Sequence, residues 1–398
     1  MSLNNNTITK ILKSTYGMVT GNNVIAEVDL QNIIDTGNDA TIEKEQFTKA
    51  LVSVITKTIF TDEKYESDYV DPFYVDSTEY GAIIQAVSAE APEVQESHAW
   101  QTFTSGTSKV GQYTVYLPII DTQYFGRTVS WELPITITYE QWNDAVHNYE
   151  ELRKLTAYIF VVVENAITLH RKDMNSANRN NFIAEKIAYS KKPTSKGIHV
   201  VNLVKEYCNF TGLTQLTVEE FMKNADALRY SSGVISEYVS YIGEQTSLFN
   251  TANKVRFVPK NRRVFQILEK FAKVMETVSY ANTFNENYVK LPNFDRVAYW
   301  QGTGEGLTFD DVSKIEVKTS SDGTSILQTG VVGLLCDKLA IAHTIRSERV
   351  AVKNFDPEGL DMYFYQYRDS YFNNLTLNGI VFIVENVTSV NLESEVKG

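Results

Sequence analysis

Apolar residues set the longest regular pattern in this chain. Trp142, Ala145, Tyr149, Leu152, Thr156, Ile159, Val163, Ile167, His170, Met174 and Ala177 follow one another in steps of three or four, the spacing that lines up one face of an α-helix. Thr138-Tyr139-Glu140-Gln141 fits a capping box, in which the threonine oxygen and the glutamine side chain satisfy amides left open at a helix start. No proline interrupts residues 135–192. A helix over 139–187 is therefore predicted, about 70 Å long at 1.5 Å per residue. Tyr158, Phe160, Val161 and Val162 make its middle apolar on several faces, which predicts a buried spine rather than a two-stranded coiled coil.

Upstream, residues 1–60 read as a polar arm with one amphipathic helix, since Ile42, Phe47, Leu51, Val54 and Ile55 recur at helical spacing. From Asp62 to about Leu133 the pattern is extended, with strand-like pieces such as 112–120 punctuated by Gly106, Gly111 and Gly126. So long a stretch without a compact core is expected to lean on a neighbour. Downstream of Pro193 short helices and strands alternate to about residue 345. Lys254–Val258 reads as a strand ended by Pro259. Asn261–Val278 reads as a helix with Val264, Ile267, Leu268, Phe271, Val274 and Met275 inward, and Leu307-Thr308-Phe309 as extended. Strands are expected at 294–300, 314–318, 330–336 and 338–345. From Glu348 to Val384 the chain is β-rich, and Met362, Phe364 and Gln366 alternate with Tyr363, Tyr365 and Tyr367.

The composition excludes several classes. Of 398 residues 43% are hydrophobic and 22% charged, enough for a large core and too little bias for a disordered chain. Aromatic residues, mostly 23 Tyr and 20 Phe, reach 12%, and such a surplus often belongs to interfaces. No apolar run approaches the ~20 residues a membrane helix needs. The net charge of −12 argues against a general nucleic-acid surface. Residues 1–100 hold 16 acids against 6 lysines, so most of the excess lies in the amino-terminal quarter. Cys208 and Cys336 cannot form a disulfide framework and are expected as buried free thiols.

Catalytic signatures are missing. The five histidines, 98, 147, 170, 199 and 343, have no metal-ligand spacing, and neither a phosphate-binding loop nor a nucleophile elbow occurs. Gly302, Gly304 and Gly306 lack the dinucleotide spacing and read as a turn. Adjacent acids such as Glu150-Glu151, Asp62-Glu63 and Asp310-Asp311 diverge rather than face each other, as glycoside hydrolysis would require. The acidic run 62–79 lacks the alternation of an EF-hand. No cofactor is expected. Arg256, Lys260, Arg262 and Arg263 form the densest basic cluster, and docking onto an acidic patch of another subunit is expected there rather than nucleic-acid binding.

In order, these elements are an arm, an extended β excursion, a long helix, a central α/β unit and a β return. That order resembles the major capsid proteins of tailed bacteriophages with the Hong Kong 97-type α+β fold, and is more similar still to phi29-like short-tailed phage head proteins. The resemblance rests on Leu51-Val52-Ser53-Val54-Ile55, on Tyr124-Phe125-Gly126-Arg127 before Pro134-Ile135-Thr136-Ile137, and on Ala166-Ile167. Lys254-Val255-Arg256-Phe257, Ile345-Arg346-Ser347-Glu348-Arg349 and the strand Met362–Tyr367 complete it. It implies an N-arm (1–60), an E-loop (61–135), the spine helix of a peripheral domain (136–192), an axial domain (193–345) and a peripheral β return (346–398). Neither an immunoglobulin-like carboxy-terminal domain nor amino-terminal cleavage is expected, and no crosslinking pair is identified.

The resemblance further implies a non-enzymatic subunit. It would self-assemble into pentamers and hexamers of an icosahedral or prolate head around double-stranded DNA, in the host bacterial cytoplasm. Scaffolding protein, portal and accessory or cement proteins would be its partners, and no membrane is involved. Trp100, Tyr124, Phe125 and Trp131, with Arg127 beside them, become candidate loop anchors on a neighbouring subunit; the alternative is that they pack within their own chain. A bacterial nanocompartment shell and a carbohydrate-active enzyme are the rival functions.

Overall fold

The computed structural model describes residue 73 and residues 84–89, 120–126, 128–137, 149–280, 293–301, 306–318, 325–354 and 361–388. The arm over 1–60, most of the extended excursion and the capping box at Thr138–Gln141 lie outside the described residues.

The long helix, α1 (Tyr149–Ser190), runs for 42 residues, about 63 Å. Its inward face does not keep to the predicted stripe. Val163 and Ile167 are buried and His170 and Met174 half-buried, but Ala177 is exposed while Asn175, Asn178, Arg179 and Asn180 are buried. The cause is geometric: a 3.5-residue spacing drifts about 20° per heptad on a 3.6-residue helix, so the stripe turns progressively away from the face that Val163 and Ile167 bury. The middle is also not buried all round, since Val162 and Leu169 are exposed.

The middle of α1, around His170–Asn178, crosses a three-stranded antiparallel sheet ordered β10 (Ile341–Asn354), β11 (Asp361–Asn373), β3 (Val129–Ile137). The expected alternation along β11 is present: Tyr365, Tyr367 and Asp369 are buried, whereas Phe364 and Gln366 are half-buried and Arg368 is exposed. Pro134 sits in β3, at the sheet's edge among described strands, where a missing amide is tolerated. On the same sheet, Gln366 donates to Glu132 (2.7 Å) and accepts from Arg349 (2.5 Å), a polar rung across three strands. A two-stranded ribbon, β1 (Ile84–Ala89) with β2 (Ile120–Phe125), precedes this sheet.

The last part of α1 packs on a five-stranded mixed sheet ordered β4 (Val200–Asn202), β12 (Gly379–Ile383), β9 (Val331–Asp337), β5 (Arg263–Leu268), β6 (Asp295–Val297). Central β9 and its neighbour β12 are buried at every position, as strands covered on both faces must be. Gly379 allows Phe182 of α1 to lie directly on β12, because a Cβ there would come within 2.8 Å of its ring. Around this sheet lie α2 (Leu203–Thr211), α3 (Val218–Lys223), α4 (Ala225–Tyr241), α5 (Glu269–Tyr280), the one-turn α6 (Phe309–Ser313) and the hairpin β7 (Ile315–Lys318)–β8 (Ser325–Gln328).

Three local expectations are corrected. The helix expected over 261–278 begins only at Glu269, since Arg263–Leu268 is strand β5. Val264, Ile267 and Leu268 fit a helical stripe, but β5 is buried from Val264 onward and pairs with β9 and β6; a short apolar run has no period that separates helix from strand. Leu307-Thr308-Phe309 does not run extended: Leu307 has φ +47°, and Thr308 caps α6, which begins at Phe309 with Asp311 completing a capping box. Lys254–Val258 forms no strand, only an isolated bridge between Arg256 and Thr246. Cys208 and Cys336 are free and buried, as expected.

Candidate assembly surfaces

The residues expected at an interface fall into two regions. In the first, Trp131 of β3 stands opposite Tyr367 of β11 and stacks on it at 4.2 Å, with His170 of α1 4.4 Å away on a tilted ring. Its indole nitrogen donates to the fully buried Asp369 (2.9 Å). Arg171 donates to Glu348 (2.6 Å), lies 3.8 Å from Asp369 and covers the Tyr367 ring at 5.4 Å. Burial opposes the Arg171 charge, but Asp369 and Glu348 outweigh it and hold the guanidinium above its ordinary value. Trp131 is thus spent on joining its own chain's helix to its own sheet. Phe125 is half-buried and stacks on Phe372 at 4.8 Å, whereas Tyr124, on the other face of β2, is 66% exposed. Trp100 and Arg127 lie outside the described residues.

The second region is the basic cluster, which the structure divides. Arg262 grips Asp337 with two nitrogens (3.1 and 2.5 Å), and that carboxylate is buried. Arg263 donates to the carbonyls of Val258 (2.9 Å) and Val239 (3.1 Å). Both arginines therefore tie the 242–262 segment to the sheet and to α4. Arg256 is half-buried and exchanges backbone hydrogen bonds with Thr246, and Lys260 stands exposed in a 3-10 turn. Sequence spacing alone had no means of separating these roles, because Asp337 lies 75 residues away.

Sequence reasoning missed the polar pins beneath α1. Lys186, fully buried, donates to the carbonyls of Phe249 (3.1 Å) and Leu375 (3.4 Å) and, among the described residues, faces no carboxylate at hydrogen-bond distance. Burial pushes its pKa down to about 7. His199, also buried, is pushed down to about 4 by burial and by Lys186, against a bond to the Lys196 carbonyl. Asn178 donates weakly to Ala342 and Phe372, and Asn180 donates to Trp300 (2.5 Å). A cleft of about 950 Å³ opens between α3, α5, α6 and the end of β12, and most of its charged side chains already have partners. Lys223 pairs with Glu219, Lys270 donates to the Leu307 carbonyl, and Glu385 accepts from Gln328. Among the described residues no group of acids, histidines and cysteines could hold a metal, and no helix is long and apolar enough to cross a membrane.

The sequence matches the family model described as Phi29-like phage major capsid protein over residues 6–383. The chain belongs to that family. No curated protein sequence gives a match. Among solved structures the chain is similar to one titled as the capsid structure of Staphylococcus phage Andhra, at 9% identity, TM-score 0.47, covering 78% of this chain and 82% of that one. It is also similar to one titled as the capsid structure of the cyanophage P-SCSP1u, at 10% identity, TM-score 0.42, covering 79% and 86%.

In this phage capsid protein the large apolar side chains left open are grouped. Val87, Ile120 and Tyr124 share one face of the β1–β2 ribbon, since Val87 pairs with Thr122 and alternate residues of a strand share a face. Val162 and Leu169 lie seven residues apart on the outer side of α1. Phe210, Leu213, Tyr241, Leu248, Val255 and Phe257 mark the outside of the central unit.

Proposed function

We propose that this chain is a shell subunit, without enzymatic activity, that self-associates into pentamers and hexamers of an icosahedral or prolate head enclosing double-stranded DNA. The observation that carries the reading is membership of a phage major capsid family over nearly the whole chain, together with grouped apolar residues that the isolated chain leaves in water. In this reading residues 1–60 are the N-arm, 61–135 the E-loop, 136–192 the spine helix, 193–345 the axial domain and 346–398 the peripheral return. Scaffolding protein, portal and accessory or cement proteins are its partners, and assembly takes place in the host bacterial cytoplasm. Contacts that are individually weak and numerous would let misplaced subunits leave while the closed shell persists. Neither rival, the nanocompartment shell or the carbohydrate-active enzyme, receives support.

Electron microscopy of the purified chain, alone and with its scaffolding protein, tests this. Closed particles or curved lattices are expected. A chain that stays monomeric at every concentration and salt, with and without scaffold, refutes it.

A further inference from the structure

Resting on that shell reading, we infer that two apolar patches of opposite charge, placed along α4 of the central unit, dock head to tail between copies of this chain. The first patch centres on Phe210, 69% exposed, stacked on Tyr230 at 4.5 Å. Glu206 and Glu237 flank it: with burial, both hold the Tyr230 hydroxyl above its ordinary value. Residues 203–244 as a whole carry six acids against three bases.

The second patch belongs to the segment after α4. Val255 and Phe257 are each 55% exposed, and Lys260 is exposed beside them. Residues 254–263 carry five bases and no acid. Two of these, Arg262 and Arg263, are bound to their own chain, and they fix the segment in place. Val258 donates to the carbonyl of Ile242, just beyond α4, so this patch lies twelve residues from Tyr230, about 18 Å along the helix axis. Gly233, exposed, has open space around it, so α4 is low between the two patches.

A patch that is apolar and acidic cannot be covered by an identical one without bringing like charges together, which rules against two-fold pairing. The complementary partner on the page is the basic patch of the next copy. A contact between two different surfaces of one chain is heterologous and generates a ring where its rotation closes, as the capsomers of the shell reading require, and opposite charge at its rim sets register and encounter rate more than final affinity.

The test is a charge exchange at two exposed positions, Lys260→Glu and Glu237→Lys, made singly and together, with assembly followed by light scattering and electron microscopy. Each single variant should assemble roughly tenfold more slowly than wild type at low salt, and the double variant should recover. Circular dichroism checks that each variant is folded; where a reversal is not, Lys260→Gln and Glu237→Gln are compared at low and high salt, and their defect should vanish when charge is screened. Wild type assembling while both single variants assemble equally well overturns this inference and leaves the shell reading standing. Loss in both singles without recovery in the double assigns the patches to another partner and also overturns it. Wild type that never assembles overturns the shell reading itself.

Discussion

Replacing Lys186 by methionine removes a fully buried charge from the core. The ammonium is fully buried at the meeting point of α1, the Phe249 loop and the turn after β11. Methionine keeps the unbranched length and loses the charge. Neither carbonyl is orphaned by the change, because Phe249 still accepts from the Gly379 amide (3.0 Å) and Leu375 from the amide (3.2 Å) and hydroxyl (3.0 Å) of Thr251. The direct loss is then about 1 kcal/mol per hydrogen bond. The linkage is larger. Between about 7 in the folded chain and 10.5 in the unfolded chain, the unfolded state holds the extra proton, so wild-type stability rises with pH across that window. At about 1.4 kcal/mol per pH unit the full span is about 5 kcal/mol. Nearby groups do not imitate it: Tyr238 is pushed up to about 12, chiefly by burial, and Cys336, also raised by burial, is present in both proteins. Urea unfolding of the unassembled subunit should therefore show the advantage of Lys186→Met over wild type shrinking by about 2 kcal/mol between pH 7 and pH 9. Parallel pH profiles for the two proteins would refute the argument.

On the acid side, His199 is held neutral down to about pH 4, so wild type should lose stability as pH falls through 6.5 to 4, taking up about one proton on unfolding; a His199→Gln variant with an unchanged acid slope would contradict this. Arg262→Ala leaves the buried Asp337 carboxylate with the Leu339 amide (3.0 Å) as its remaining donor among the described residues and should cost about 2–3 kcal/mol in urea unfolding, an effect absent if Arg262 serves only as a surface charge. Gly330→Ala places a Cβ 2.1 Å from the Val384 carbonyl oxygen at φ +74° and should lower stability by about 3 kcal/mol; a soluble subunit with wild-type melting would show that the β8–β9 turn is not held as described. Phe125→Ala should cost about 1 kcal/mol through the lost Phe372 stack while reducing particle yield far more; equal loss of both would assign Phe125 to folding alone.

What was legible from sequence was whatever repeats locally. The existence of α1, the alternation of β11 and the buried cysteines follow from periods and residue types that no distant contact overrides. The inward face of α1 beyond residue 170 was not legible, because its buried residues are Asn175, Asn178, Arg179 and Asn180, which a hydrophobicity pattern assigns to water. Their burial depends on carbonyls and rings more than 80 residues away, such as Trp300 beneath Arg179 at 4.9 Å. The basic cluster failed for the same reason. Arg262 and Lys260 look equivalent in the chain, and only the position of Asp337 makes one a buried clamp and leaves the other at the surface.

Those polar pins bear on how a shell subunit keeps its shape. Apolar contacts are non-directional and would let a helix this long slide or roll over two sheets at little cost. Asn178, Asn180 and Lys186 instead aim donors at fixed carbonyls of β10, β11, Trp300 and the Phe249 loop, so a shift of a fraction of a turn leaves several buried groups unpaired. Asn178 is held from the other side too, since Asn373 donates to its carbonyl (3.0 Å). The angle between the three-stranded and five-stranded sheets is thereby set by geometry rather than by how much surface is covered. A closed shell needs that setting, because an error in one subunit's angle is repeated at every copy around the ring.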